Sequence, residues 1–327
     1  MDNTILRVNQ LKVQFETPAG RVTAIDDLTF DLKRKETLCL VGESGSGKSV
    51  TALTIMGLLP KPTGIVAGGT IEMNGENLLN FSESQMQRVR GNKISMIFQE
   101  PMTTLNPVYT IGYQISEALL RHRKMTKKEA MEYAEELLCK VRIADPKRRL
   151  KQYPHELSGG LRQRVMISIA FACNPDILIA DEPTTALDVT VQAQVIRLLE
   201  ELKEEFNMSI IFITHDLGVV YEIADRIIVM YGGMKMEEGP AHTFFEKPVH
   251  PYTQGLISCT PQIESNLTRL PTIPGVVPTL AKMPKGCHFS NRCVYASERC
   301  MQCPPPVTEY EPDHYVACYK WLKGGLK

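Results

Sequence analysis

The run Gly42-Glu43-Ser44-Gly45-Ser46-Gly47-Lys48-Ser49 constrains the fold more tightly than any other part of the chain. It fits the pattern G-x-x-x-x-G-K-[ST], which works only on a tight turn between a strand and a helix. Both flanks are present. Thr37–Val41 reads as an apolar strand feeding the loop. A helix is expected from Lys48 to about Leu58, ended by Leu59-Pro60-Lys61-Pro62. In such a loop Gly42, Gly45 and Gly47 let the backbone N–H groups around Glu43, Ser44 and Ser46 converge on phosphate oxygens. Lys48 reaches the β- and γ-phosphates, Ser49 offers a hydroxyl to Mg²⁺, and the helix directs its positive end at the anion.

A second glycine segment, Leu157-Ser158-Gly159-Gly160-Leu161-Arg162-Gln163-Arg164, has no role in most phosphate-loop enzymes. A chain carrying both can build one half of each of two shared ATP sites, in a dimer that closes on ATP and opens after hydrolysis. Further on, Ile177-Leu178-Ile179-Ala180-Asp181-Glu182 is an apolar strand ending in two carboxylates. Asp181 can bind Mg²⁺ through water, completing the metal site begun by Ser49. Glu182 can polarise the attacking water as a general base. Thr214-His215-Asp216 follows another apolar strand, where His215 is placed to contact a γ-phosphate and organise Glu182. Gln99 ends the run Ile94-Ser95-Met96-Ile97-Phe98, and its amide suits both Mg²⁺ and the attacking water. Phe15 precedes a turn, either to stack on adenine or to serve as a core aromatic.

The 327 residues suggest about two domains. The formal net charge is zero, so no global field draws the chain to nucleic acid or to an anionic membrane. No apolar run is long enough to cross a bilayer and the first residues lack a signal-peptide core, so a cytosolic chain is expected, with any membrane association through a partner. Strands are expected at Ile5–Val8, Leu11–Phe15 and Leu28–Leu32. Residues 100–170 read as mainly helical, with a capping box at Thr126-Lys127-Lys128-Glu129 and Met131, Ala134, Leu138 and Val141 on one face. Strands return at Ile177–Ala180, Ser209–Thr214 and Arg226–Tyr231, alternating with helices such as Val189 to about Glu204. This alternation argues for an α/β fold with a mainly parallel sheet. Beyond about Pro240 prolines are dense and periodicity fades, which predicts an irregular appendage.

Of nine cysteines, Cys39, Cys139, Cys173 and Cys259 sit in apolar surroundings and read as small buried side chains. Cys287, Cys293, Cys300, Cys303 and Cys318 crowd the end of the chain. In a reducing compartment such crowding suggests metal or cluster ligation more than disulfides.

Taken in order, Phe15, the loop at 42–49, Gln99, Ser158-Gly159-Gly160, Asp181-Glu182, Ala186-Leu187-Asp188 and His215 resemble the motifs of ATP-binding cassette (ABC) transporter ATPases. Leu161 departs from the glutamine usual in the family signature. The resemblance implies a P-loop NTPase fold of the ABC type over residues 1–240: a RecA-like core, an antiparallel β subdomain and a helical subdomain at about 100–170. An irregular extension follows at 241–327. The resemblance also places Ser158, Gly159, Gly160 and Asp188 at a nucleotide held between two chains.

Phe98-Gln99-Glu100-Pro101-Met102-Thr103-Thr104-Leu105-Asn106-Pro107, Asp188–Gln194, His250-Pro251-Tyr252-Thr253 and the tail Gly286–Cys293 are similar to dipeptide and oligopeptide importer ATPases of the D type. That resemblance implies Cys287, Cys293, Cys300 and Cys318 as ligands of a [4Fe–4S] cluster, with Cys303 outside the pattern. Tetrahedral Zn²⁺ is the alternative, which Cys300-x-x-Cys303 would suit. It further implies a heterodimer with a homologous ATPase subunit, docked on two transmembrane permease subunits at the cytoplasmic face of the membrane. An extracytoplasmic peptide-binding protein would deliver the solute, and no nucleic acid is involved. Importers of nickel or another small solute share the core, so they remain an alternative, as does a non-transport ABC ATPase. A redox enzyme ranks below both, because no flavin or nicotinamide fingerprint accompanies the cysteines.

Overall fold

The computed structural model describes residues 3–100, 104–185, 187–259 and 272–322. Pro101-Met102-Thr103 and Ala186 of the motifs above lie outside the described residues. The chain forms two compact units, residues 1–79 with 214–327, and residues 80–213.

The first unit begins with β1 (Thr4–Thr17) and β2 (Gly20–Lys33), continues through β3 (Thr37–Val41) and the helix Lys48–Ile55, and returns as β4 (Gly64–Met73) and β5 (Glu76–Asn77). Strands in the order β2-β1-β4-β5 make an antiparallel sheet. The two short strands expected at Ile5–Val8 and Leu11–Phe15 are one strand interrupted by a bulge. Val8 and Leu11 are three apart, so a regular strand would point them to opposite faces. Gln10 takes φ +45, the register shifts between them, and both side chains are buried. The bulge presses on β4, where a Cβ on Gly69 would come within 2.6 Å of the Asn9 and Gln10 carbonyl oxygens. Only glycine fits there.

In the second unit β6 (Ile94–Ile97), β7 (Ile177–Asp181) and β8 (Ser209–Thr214) run parallel, with β7 in the middle. All are buried along their length, which is why they read as unbroken apolar runs. The helices Ile111–His122, Lys127–Lys140 and Gly159–Phe171 pack on one another. The expected capping box at Thr126 and Glu129 is formed. The buried face of that helix is Ala130, Ala134, Leu137 and Leu138, whereas Met131, expected on this face, is 40% exposed. Met131 lies on the margin of the apolar stripe, where a long flexible side chain tolerates water.

The chain returns to the first unit with β9 (Arg226–Tyr231), parallel to β3, and β10 (Met234–Pro240), antiparallel to β9. The proline-dense region is more regular than its composition suggests. It holds the helices Ala241–Glu246 and Pro251–Ser258 and a hairpin, β11 (Thr308–Glu311) and β12 (His314–Val316). β12 pairs with β10 and so extends the sheet. Beneath this junction Glu237 is fully buried. Its carboxylate accepts the N–H of Val249 at 2.9 Å and of His250 at 2.8 Å, and meets His314 Nε2 at 2.7 Å. Cys39 and Cys173 are buried as expected, but Cys139 is exposed and Cys259 half-buried. Cys139 follows Leu138 near the end of its helix, where the apolar stripe has turned away. Among the described residues no helix is long and apolar enough to cross a membrane.

Candidate nucleotide site

β3 ends at Val41 and the chain turns sharply at Gly42, whose φ is +149. A Cβ there would lie 2.2 Å from the Met230 carbonyl oxygen on β9, so no side chain fits. Gly45 and Gly47 also take positive φ, and Gly47 caps the helix Lys48–Ile55. Lys48 is 5% exposed and folds back over the loop. Its Nζ donates to the Gly42 carbonyl at 2.7 Å, the Glu43 carbonyl at 3.0 Å and Ser46 Oγ at 3.2 Å. Ser44 and Gly45 are exposed at the rim and Ser49 is half-buried on the first helical turn.

His215 is exposed just after β8 and lines a cavity of about 270 Å³ with Gly42, Glu43, Asp216, Leu217, Leu256 and Cys259. Asp216 caps the next helix, accepting the N–H groups of Gly218 and Val219. Phe15 is half-buried beside Gly64, outside the core, so its ring keeps an accessible face. All of these belong to the first unit.

The second unit carries the acidic end of β7. Asp181 is the last strand residue and is 5% exposed. Glu182 follows with φ +46, an unusual conformation for a residue with a side chain. Its N–H donates to the Ile213 carbonyl at 2.9 Å. Its carboxylate oxygen Oε2 accepts from Gln99 Nε2 and from Thr185 Oγ1, both at 2.9 Å. The strained backbone and the two donors together fix where the carboxylate points.

Ser158 caps the helix Gly159–Phe171 through its backbone, and its exposed hydroxyl makes no capping bond. A Cβ on Gly159 would meet nothing within 4 Å, whereas one on Gly160 would lie 3.3 Å from Val191 Cγ1, so the helix start is open at Gly159. Gln163 on the same helix donates to the Pro183 carbonyl at 2.5 Å, tying the segment to the backbone after Glu182. Asp188 caps the helix Val189–Phe206 by accepting the Val191 N–H at 3.0 Å.

Near the end of the chain four thiols gather. Burial chiefly pushes the Cys287 thiol up to about 12, while the N–H of Phe289 on its sulfur acts against this and Cys300, Cys318 and Cys293 add to the rise. Cys293 and Cys318 are also raised by burial, and each sulfur accepts a backbone N–H from two residues on, Tyr295 and Lys320. Cys287 and Cys300 are joined by a backbone hydrogen bond of 2.7 Å. Cys303 stands apart, exposed, with its sulfur 2.9 Å from Tyr319 Oη. Among the described residues, however, no three His, Cys, Asp or Glu side chains form a preformed metal site. The thiols are near enough to feel one another but are not closed on a common centre.

Several residues that hold this region were not assigned to the nucleotide site by sequence reasoning. Tyr252 and Arg292 both contact Glu43, and Thr185 contacts Glu182. Thr185 could have been found from spacing, since it lies three residues after Glu182. Nothing local marks the other two as partners of a loop more than 200 residues earlier.

The profile described as "ABC transporter" matches residues 25–185, and "Oligopeptide/dipeptide transporter, C-terminal region" matches residues 236–300. "Oligopeptide transport ATP-binding protein OppD" of Salmonella typhimurium is 51% identical over 318 residues, covering 97% of this chain and 94% of its own length. "Oligopeptide transport ATP-binding protein AppD" of Bacillus subtilis is 48% identical over 325 residues, 99% of both chains. Among solved structures, a dimeric post-hydrolysis state of the ATP-binding cassette MJ0796 bound to ADP and Pi matches with a TM-score of 0.65 and 26% identity, over 72% of this chain and 98% of that one. Such identity, spread along both the cassette and the cysteine-bearing tail, means that the protein belongs to the family of ABC transporter ATPases, in its oligopeptide and dipeptide branch.

Proposed function

We propose that this chain is the ATP-hydrolysing subunit of an ABC importer that takes up oligopeptides or dipeptides. The observation that carries the reading is the match of residues 236–300 to the peptide-transporter C-terminal region, beside the cassette match at 25–185. Nickel or another small solute is the alternative cargo, and it has no comparable support.

In this reading the loop Gly42–Ser49 holds the triphosphate, and Lys48 exchanges its three loop oxygens for phosphate oxygens. Mg²⁺ supplies charge neutralisation between the phosphates when bound. Ser49, Asp181 and the amide oxygen of Gln99 are its donors, all hard oxygens suited to that ion. Gln99 fits the role because its Nε2 is engaged by Glu182, which turns its oxygen the other way. Glu182 is the general base, His215 the γ-phosphate contact, and Phe15 the adenine platform. Ser158, Gly159 and Gly160 serve the ATP held by the partner chain, with Asp188 beside them. The exposure of Ser158 and Gly159 supports this, because nothing lies within 4 Å of a Cβ placed on Gly159.

The partners are a homologous ATPase subunit, two membrane permeases and an extracytoplasmic peptide receptor, and the chain works as a peripheral subunit at the cytoplasmic face. The test is reconstitution in proteoliposomes. ATP hydrolysis is expected to rise when the peptide-loaded receptor is added outside, with labelled peptide accumulating inside. Equal rates for the isolated chain and the full assembly would sink the coupling, and accumulation of nickel in place of peptide would sink the cargo.

Cys287, Cys293, Cys300 and Cys318 are the ligands of a [4Fe–4S] cluster that fastens the tail. The reading is supported by mutual proximity, and three N–H···S contacts oppose the burial that raises these thiols. Protein purified without oxygen is expected to carry about four iron and four sulfide per chain. Stoichiometric Zn²⁺ in colourless protein would replace the cluster by zinc, and metal-free protein with a folded tail would remove both.

A further inference from the structure

A glycine-rich loop is loose by nature, and ordering it costs binding energy unless neighbours hold it beforehand. Here the neighbours come from the tail. Arg292 makes two bonds to Glu43, Nη1 to Oε2 at 2.6 Å and Nη2 to Oε1 at 3.1 Å. Tyr252 Oη accepts the Glu43 N–H at 2.9 Å. Gly233 donates its N–H to the Ser46 carbonyl at 3.0 Å, and the preceding Gly232 carbonyl meets His288 Nδ1 at 2.6 Å. The residues between Cys287 and Cys293 therefore grip the loop directly at Glu43 and indirectly at Ser46.

Arg292 is itself a fixed post. Its side chain is 5% exposed and lies against the rings of Tyr231 and Phe289. Its Nε donates to the Pro274 carbonyl at 2.9 Å. A planar guanidinium held on three sides returns a bidentate carboxylate to one position, which a surface lysine could not do. Glu43 is part of the phosphate loop, so its position sets the path of the backbone that meets the nucleotide.

We propose that Arg292, with His288 beside it, is a positioning residue that pre-forms the phosphate loop for ATP through Glu43. The proposal rests on the reading of Gly42–Ser49 as the ATP loop. Because the clamp acts before chemistry, it should change nucleotide affinity and KM while leaving kcat nearly untouched.

The test is a double-mutant cycle in the full chain, read by titration with a fluorescent ATP analogue and by KM and kcat in the assembled transporter. Arg292→Met and Glu43→Gln are each expected to weaken ATP binding about tenfold, the equivalent of one charge-assisted hydrogen bond. The double variant should be no weaker than either single one, and Arg292→Lys should recover part of the loss. Unchanged affinity in either folded single variant overturns the proposal, as do fully additive losses or a fall in kcat with KM unchanged. If Arg292→Met melts early, Glu43→Gln alone decides the outcome, since its side chain is 30% exposed and the amide oxygen can still accept one Arg292 bond. Wild-type protein that binds no ATP at all would instead overturn the loop reading itself.

Discussion

Replacing Glu182 by Gln is expected to lower ATP turnover about 10²–10⁴-fold, the usual worth of a general base, while ATP still binds. The substitution keeps the length and the acceptor oxygen. Gln99 and Thr185 can therefore still hold the side chain, and the left-handed backbone at φ +46 is unchanged. What is lost is the basic carboxylate. Steady-state hydrolysis in the assembled transporter, alongside nucleotide binding, separates the two effects. Turnover within a few-fold of wild type would take Glu182 out of the role and leave Gln99 and Thr185 as mere anchors of a loop.

Replacing Glu237 by Ala is expected to cost about 3–5 kcal/mol of stability, because three buried donors lose their acceptor at about 1–3 kcal/mol each. Three donors meet this carboxylate: the N–H groups of Val249 and His250, and the His314 ring. All three lie in the interior, where Glu237 and His314 are 0% and His250 1% exposed. Each abandoned donor keeps its desolvation cost without its bond. Urea or thermal melting of the full chain is the measurement. A midpoint unchanged from wild type would mean that backbone shifts re-satisfy all three donors.

The sequence disclosed what is written in short-range code. The phosphate loop announces its strand and helix, and Ser209–Thr214 and Arg226–Tyr231 are strands with the expected limits because both faces are buried. The helix after the loop ends at Ile55, earlier than expected, since Met56 and Gly57 already turn the chain. The bulge at Gln10 was hidden because its cause lies on another strand, at Gly69. The hairpin Thr308–Val316 was hidden for the same reason. Its β12 is only three residues long and draws its stability from β10, more than 75 positions earlier in the chain. In the candidate site, the gathering of four thiols could be suspected from spacing. The contact of Arg292 with Glu43 could not, because no periodicity links residues 249 apart.

That separation has a consequence for how the protein is made. Chains leave the ribosome N-terminus first, so the phosphate loop emerges well before its outer anchors. Closing a contact across 249 residues is slow, and here it must wait for translation as well. A nascent or prematurely stopped chain carries the complete glycine motif but neither Tyr252 nor Arg292 to steady it. On the proposed role of Arg292, a growing chain gains its full grip on nucleotide only after Tyr252 and Arg292 have followed the loop out.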